Sequence, residues 1–137
     1  MKTTMSLKHT QGMAFETELN GHKLIVDADE SVGGQNLGPR PKVLLLVSLA
    51  GCTGMDVVSI LKKMRIEFSN FEVLVEAEIA EEHPKKYLNL KVIYQIQGNQ
   101  LPLDKIQQAV KLSEEKYCGV RASLEGGIPI ESEIRIL

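Results

Sequence analysis

The stretch "KVLLLVSLAGCTGMD", residues 42–56, decides how this chain is read, because it admits three incompatible interpretations. "LAGC" after a lysine and an apolar run is how a bacterial lipoprotein signal ends. "GCTG" satisfies the GxxG pattern of an RNA-clamping loop. Cys52, between glycines in an apolar run, suits a reactive thiol. A signal peptide must lead its chain, whereas 41 residues patterned as strands precede Lys42. A GxxG clamp needs an irregular backbone with basic neighbours, and here the four residues lie inside an apolar pattern that continues on both sides. The thiol reading remains.

Outward from Cys52, residues 42–65 contain no proline, and Pro41 suits the first turn of a helix. Val43, Leu44, Leu46, Val47, Ala50, Met55, Val57, Val58, Leu61 and Met64 keep an apolar face for about six turns. The first half is apolar nearly all round, which predicts a long central helix buried there on every side. Gly51 and Gly54 each cost about 1 kcal/mol against alanine inside a helix, so a second helix is expected to approach closely at that point. Asp56, one turn past Cys52, either pairs with a donor from another helix or marks an exposed edge.

Before this helix, "AFETEL" (14–19) and "HKLIVD" (22–27) meet across Asn20-Gly21, the dipeptide of a type I′ hairpin. A strand around residues 6–11 is expected to join them, and residues 28–41, rich in Gly, Pro and Asp, read as a long loop. After the helix, "FEVLVEAEI" (71–79) and "YLNLKVIYQIQ" (87–97) alternate as an antiparallel pair with one wet face, the second through Leu88, Leu90, Val92, Tyr94 and Ile96. Residues 103–116 read as an amphipathic helix, "GVRASLE" as a short one, and "IPIESEIRIL" as a last strand. The order β-β-β, α, β-β, α, α, β predicts an α+β class and a single domain over residues 1–137.

Composition narrows the function. A net charge of −2 and the absence of Trp disfavour a nucleic-acid binder that neutralises phosphates or stacks bases. The first thirteen residues have no apolar core of a targeting signal, and the run Val43–Ala50 is too short for a bilayer, so a soluble, cytoplasmic protein without membrane contact is expected. No Cys-x-x-Cys or His-x-x-x-His spacing exists, so neither a metal site nor a cofactor is expected. Two cysteines, Cys52 and Cys118, are too few for a disulfide scaffold. Cys118 ends the second helix beside Gly119. Two helices crossing near glycines can bring such thiols to disulfide distance, and cytosolic thiols that can meet are more often redox machinery than a staple.

The run "GPRPKVLLLVSLAGCTGMDVVSILKKM", followed by "LSEEKYCGVRASL", resembles the OsmC/Ohr family of thiol-dependent hydroperoxide reductases, in its OsmC-like branch. The hairpin "GMAFETELNGHKLIVD" is similar to the N-terminal strands of that branch, so the likeness covers nearly the whole chain. It implies an intertwined homodimer with sites at the subunit interface. It further implies that Cys52 is the peroxidatic cysteine, that Cys118 resolves it, that organic hydroperoxides are the substrates and that an external dithiol is the reductant. The family's activating Arg and Glu have no counterpart: their positions fall near Met13, in a segment without Arg, and at Lys42 or Val43. Arg40, in the loop before the cysteine helix, and Arg121, one turn past Cys118, are the candidates to stabilise the thiolate instead. A second reading is a non-catalytic thiol protein that senses oxidation through Cys52 or binds a small apolar ligand. A third is a structural dimer with two inert thiols.

Overall fold

The computed structural model describes all 137 residues, as two compact units, 1–46 and 47–137. The α+β class expected from the sequence is what the chain adopts.

In the first unit, β1 (Lys8–Gln11), β2 (Ala14–Leu19) and β3 (His22–Val26) form an antiparallel meander in that order. Asn20 and Gly21 both take positive φ, 51° and 81°, as the type I′ turn requires, and Leu19 pairs with His22. The loop that follows is ordered by the buried side chain of Asp27. Its Oδ1 accepts from the Ala28 N–H at 2.7 Å, and its Oδ2 accepts from the Gln35 and Leu37 N–H groups at 3.1 Å each. Gly34 permits the fold-back, since a Cβ there would lie 2.0 Å from the Ala28 carbonyl oxygen.

The helix α1 (Leu44–Lys63) opens with three tight backbone bonds, from Leu44, Leu45 and Leu46 to Pro41, Lys42 and Val43. It closes with Lys62 and Lys63 at its negative end. Arg65 then turns left-handed (φ 59°) while the Ile66 N–H donates to the Leu61 carbonyl, a Schellman stop built without glycine.

The second unit carries a sheet of order β4-β5-β6, comprising β4 (Asn70–Ile79), β5 (Tyr87–Gln97) and β6 (Ile130–Ile136). β4 and β5 pair antiparallel, as their alternation predicts. β6 pairs parallel to β5, which requires a crossover; α2 (Leu103–Leu112), a π-helical turn (Ser113–Tyr117) and α3 (Gly119–Leu124) supply it. The central strand is the most buried, through Leu90, Val92, Ile93, Tyr94 and Ile96. Leu88 departs from the expected alternation. The register slips between Glu78 and Ile79, so that Asn89 and then Tyr87 are paired, and this bulge turns Tyr87 inward and leaves Leu88 exposed.

Within the single chain α1 is buried on one side only. Leu49, Thr53, Val57 and Leu61, spaced by four, are its only buried side chains, whereas Val47 and Met55 are 58% and 73% exposed. A helix packed on one sheet has one stripe to bury, and its remaining apolar surface lies outside that contact. Nor does a second helix meet its glycines: a Cβ on Gly51 would touch nothing within 4 Å, and one on Gly54 would meet Val73 of β4 at 3.3 Å. The apolar pattern also runs further than the segment Val43–Ala50. The helix, whose most apolar 18-residue window has a mean hydropathy of 2.0, is long and apolar enough to cross a membrane, but its buried stripe is committed to its own unit.

Burial alone would raise the Asp27 carboxyl, yet the backbone N–H groups of Ala28, Leu37 and Gln35, with Arg40, hold it below its ordinary value. Its contribution to stability is therefore complete above the ordinary carboxylate range and disappears as pH falls through the depressed folded value. Amide exchange at Gln35 and Leu37 is expected to accelerate on acidification through that window. In D27A it is expected to be fast at every pH, as read by NMR hydrogen exchange.

Candidate functional site

The second unit brings three reactive side chains together. Cys52 and Asp56 stand one helical turn apart on α1, so they share a face. Cys118 follows the π-helical turn, whose wider ring is closed by the Cys118 N–H donating to the Ser113 carbonyl at 2.7 Å. The two sulfurs and an Asp56 carboxylate oxygen all lie within 4.8 Å of one another. Cys118 is 3% exposed and Cys52 is half-buried. Both thiols are free, and their sulfurs stand within 4.8 Å of each other.

Burial pushes the Cys118 thiol above its ordinary value. The Arg121 N–H, donating to its sulfur at 3.4 Å, opposes this, while the hydrogen bond with Cys52 and the nearby Asp56 charge add to it. Cys52, Asp56 and Cys118 also supply three of the four donors that a tetrahedral thiophilic cation would take.

A polar network surrounds the trio. Asp56 Oδ2 is bonded to Ser113 Oγ at 2.9 Å, Ser113 Oγ to Thr53 Oγ1 at 2.8 Å, and Thr53 Oγ1 to the Tyr94 hydroxyl at 2.8 Å. The Tyr94 hydroxyl reaches Glu114 Oε1 at 3.0 Å. Burial drives the Tyr94 phenol well above its ordinary value, the Thr53 hydrogen bond opposes this, and Glu114 reinforces it.

The two candidate arginines are both engaged elsewhere. The Arg121 guanidinium spans Glu114 (3.4 Å), Glu125 (3.4 Å), Ser132 Oγ (3.2 Å) and the Ile130 carbonyl (3.2 Å), so its contact with Cys118 is through the backbone N–H. Arg40 belongs to the first unit, where it binds Asn36 Oδ1 at 2.9 Å, the Gly38 carbonyl at 3.0 Å and Asp29 at 3.3 Å.

Asp56 thus pairs with an inter-element donor, the first of its two sequence readings. Thr53, Tyr94 and Ser113 escaped sequence reasoning. The signal for Asp56 was its four-residue spacing from Cys52; the three hydroxyls carry no local signal. Val47, Ala50, Gly51, Gly54, Met55 and Phe71 line an open apolar groove of about 780 Å³ on α1, and no member of the trio lines it.

A profile of the family described as OsmC-like protein matches residues 33–133. Protein YhfA of Escherichia coli K12 is 30% identical over 132 residues, covering 96% of each chain. A crystal structure of a hypothetical protein from Aquifex aeolicus VF5 superposes with a TM-score of 0.85 at 29% identity, covering 100% of this chain and 98% of the other. An organic hydroperoxide resistance protein from Elizabethkingia anophelis shares the fold, with a TM-score of 0.71 at 15% identity and coverage of 100% and 99%.

The raised Cys118 value has a measurable consequence. The protonated thiol's contribution to stability is complete below the ordinary thiol range and is lost as pH rises through the higher folded value. In C52S at neutral pH, iodoacetamide is expected to alkylate Cys118 about tenfold or more slowly than in the unfolded chain. Equal rates would show that burial does not protect it.

Proposed function

This chain belongs to the OsmC-like family, and on that premise we propose that it reduces organic hydroperoxides through Cys52 and Cys118. The carrying observation is the placement of both sulfurs within 4.8 Å of each other. The Cys52 thiolate attacks the O–O bond, a sulfur–oxygen bond forms, and the departing alkoxide leaves as an alcohol after taking a proton. Cys118 condenses with the resulting sulfenic acid, releasing water and forming a disulfide. An external dithiol then restores both thiols by exchange, as a reducing cytoplasm allows. The partly exposed Cys52 suits the attacking role and the buried Cys118 the resolving one. The Elizabethkingia protein's name, organic hydroperoxide resistance protein, points to the same substrate class.

The apolar groove beside Gly51 and Met55 supports the second element of the reading, a homodimer in which a second copy covers the exposed side of α1. An apolar pocket at such an interface would favour organic over hydrogen peroxide. One observation favours the non-catalytic alternative, an oxidation sensor or binder of a small apolar ligand: both candidate arginines are bonded to carboxylates.

One equivalent of cumene hydroperoxide is expected to remove both thiols rapidly and leave the reduced chain lighter by two hydrogens in an intact mass spectrum. C118S should stop at a sulfenic acid that dimedone traps and that over-oxidises on repeated addition. Thiols unchanged after minutes would remove the enzyme reading and leave the ligand binder. For the assembly, light scattering on a sizing column is expected to give a dimer, and M55D a monomer. A monomeric wild-type chain would refute the interface.

A further inference from the structure

The cluster of Cys52, Asp56 and Cys118 is also a set of ligand atoms. Cys52 and Asp56 stand four residues apart on α1, the spacing at which a helix presents two ligands to one ion. Cys118 comes from the crossover, so no motif in the sequence announces the third donor. Two sulfurs and a carboxylate oxygen lie within 4.8 Å of one another. On a tetrahedral zinc ion, with Zn–S bonds of about 2.3 Å, two sulfurs stand about 3.8 Å apart. The two thiols have to draw together by no more than about 1 Å to reach that span.

Proximity is matched by support behind the donors. Metal ligands are held by outer hydrogen bonds that fix their orientation. Asp56 has such a bond to Ser113 Oγ at 2.9 Å, and Ser113 is itself buried and pinned by Thr53 at 2.8 Å. The carboxylate keeps lone pairs for an ion beyond that one bond. Cys118 has its support in the Arg121 N–H, 3.4 Å from the sulfur, and a hydrogen bond of this kind favours a thiolate. The charge fits as well. The three side chains bring up to three negative charges, and neither candidate arginine offsets them, since Arg121 is bonded to Glu114 and Glu125 and Arg40 to Asp29.

We propose that the reduced protein binds one zinc ion per chain through Cys52, Asp56 and Cys118, with the fourth position open to water on the half-buried Cys52 side. Two thiolates discriminate against magnesium and calcium, and the carboxylate suits zinc better than copper(I), which prefers sulfur. Burial raises the Cys118 thiol, which costs affinity without forbidding the site, because a coordinated thiol is deprotonated by the ion itself. The zinc site needs no oxidant and so stands apart from the peroxidase reading. Where both hold, zinc and hydroperoxide compete for the same sulfurs. The ion draws charge from the Cys52 thiolate that would attack the O–O bond, and a disulfide between Cys52 and Cys118 withdraws two of the three donors.

Cobalt(II), added to the full chain under nitrogen with a phosphine reductant, reports the type and number of ligands. The wild type is expected to take up one equivalent, with thiolate-to-cobalt charge-transfer absorption and the visible bands of four-coordination, and zinc is expected to displace it. C52S and C118S are each expected to lose about half of the charge-transfer intensity. D56A is expected to keep that absorption and to bind about tenfold or more weakly. S113A, which removes only the bond behind the carboxylate, is expected to bind about tenfold more weakly. D56N serves if D56A fails to fold. Six-coordinate cobalt without thiolate absorption, as an exposed histidine or carboxylate site would give, overturns the proposal. Affinity unchanged in D56A and D56N overturns the three-donor set. Zinc is expected to slow oxidation of Cys52 by cumene hydroperoxide about tenfold or more, and a chelator to restore the rate. An unchanged rate overturns the competition. A chain that binds cobalt as described and never reacts with hydroperoxide, with or without zinc, refutes the peroxidase reading and leaves the zinc site assigned.

Discussion

Burying Thr53 on the packed stripe of an apolar helix leaves its hydroxyl in need of partners, and much of the second unit is arranged around that need. Its two partners come from different elements, Tyr94 from the central strand and Ser113 from the π-helical turn. One atom therefore ties helix, sheet and crossover together. A purely aliphatic contact at this position would tolerate small slides along the helix axis, whereas directional hydrogen bonds fix both height and rotation. Cys52 is the neighbouring residue in the chain. The interaction that seats the helix also aims the sulfur, so stability and chemistry cannot be tuned separately here.

The second anchor is β6. Because it runs parallel to β5, it must return from the far end of the sheet, and the crossover that brings it back carries Ser113, Glu114, Cys118 and Arg121. Ser132 and the Ile130 carbonyl on that strand then hold the Arg121 guanidinium. The cation is consumed by the scaffold around Glu114, and the sulfur of Cys118 receives only a backbone N–H.

Features with a local period or a local turn chemistry were legible in the sequence. The Asn20-Gly21 hairpin, the alternation of β4 and β5 and the long helix all follow from residues close together in the chain. The parallel pairing of β6, the bulge at Leu88 and the one-sided burial of α1 depend on partners far away, and no pattern within a strand or helix reports them. The site divides in the same way. Both cysteines stood out by their surroundings, and Asp56 was readable as a pairing residue or as an edge residue. Thr53 looked like an ordinary small helix residue, Ser113 like a polar residue of the second amphipathic helix, and Tyr94 like any inward strand aromatic. Their roles arise only when three separate segments bring hydroxyls within 3 Å.

The π-helical turn sets a different kind of constraint. Between Ser113 and Cys118 the backbone bond spans five residues instead of the four of an α-helix. Removing one residue there would restore the ordinary ring and rotate everything beyond it by about 100° relative to α2. Ser113 would still face Thr53 and Asp56, while Cys118 would swing away from Cys52. Drift at this site is therefore limited by length more than by identity: Glu115, Lys116 and Tyr117 can be exchanged with little effect on where the sulfur stands, but none of them can be deleted. Relatives with the same pair of thiols are best sought by counting residues between the serine and the second cysteine.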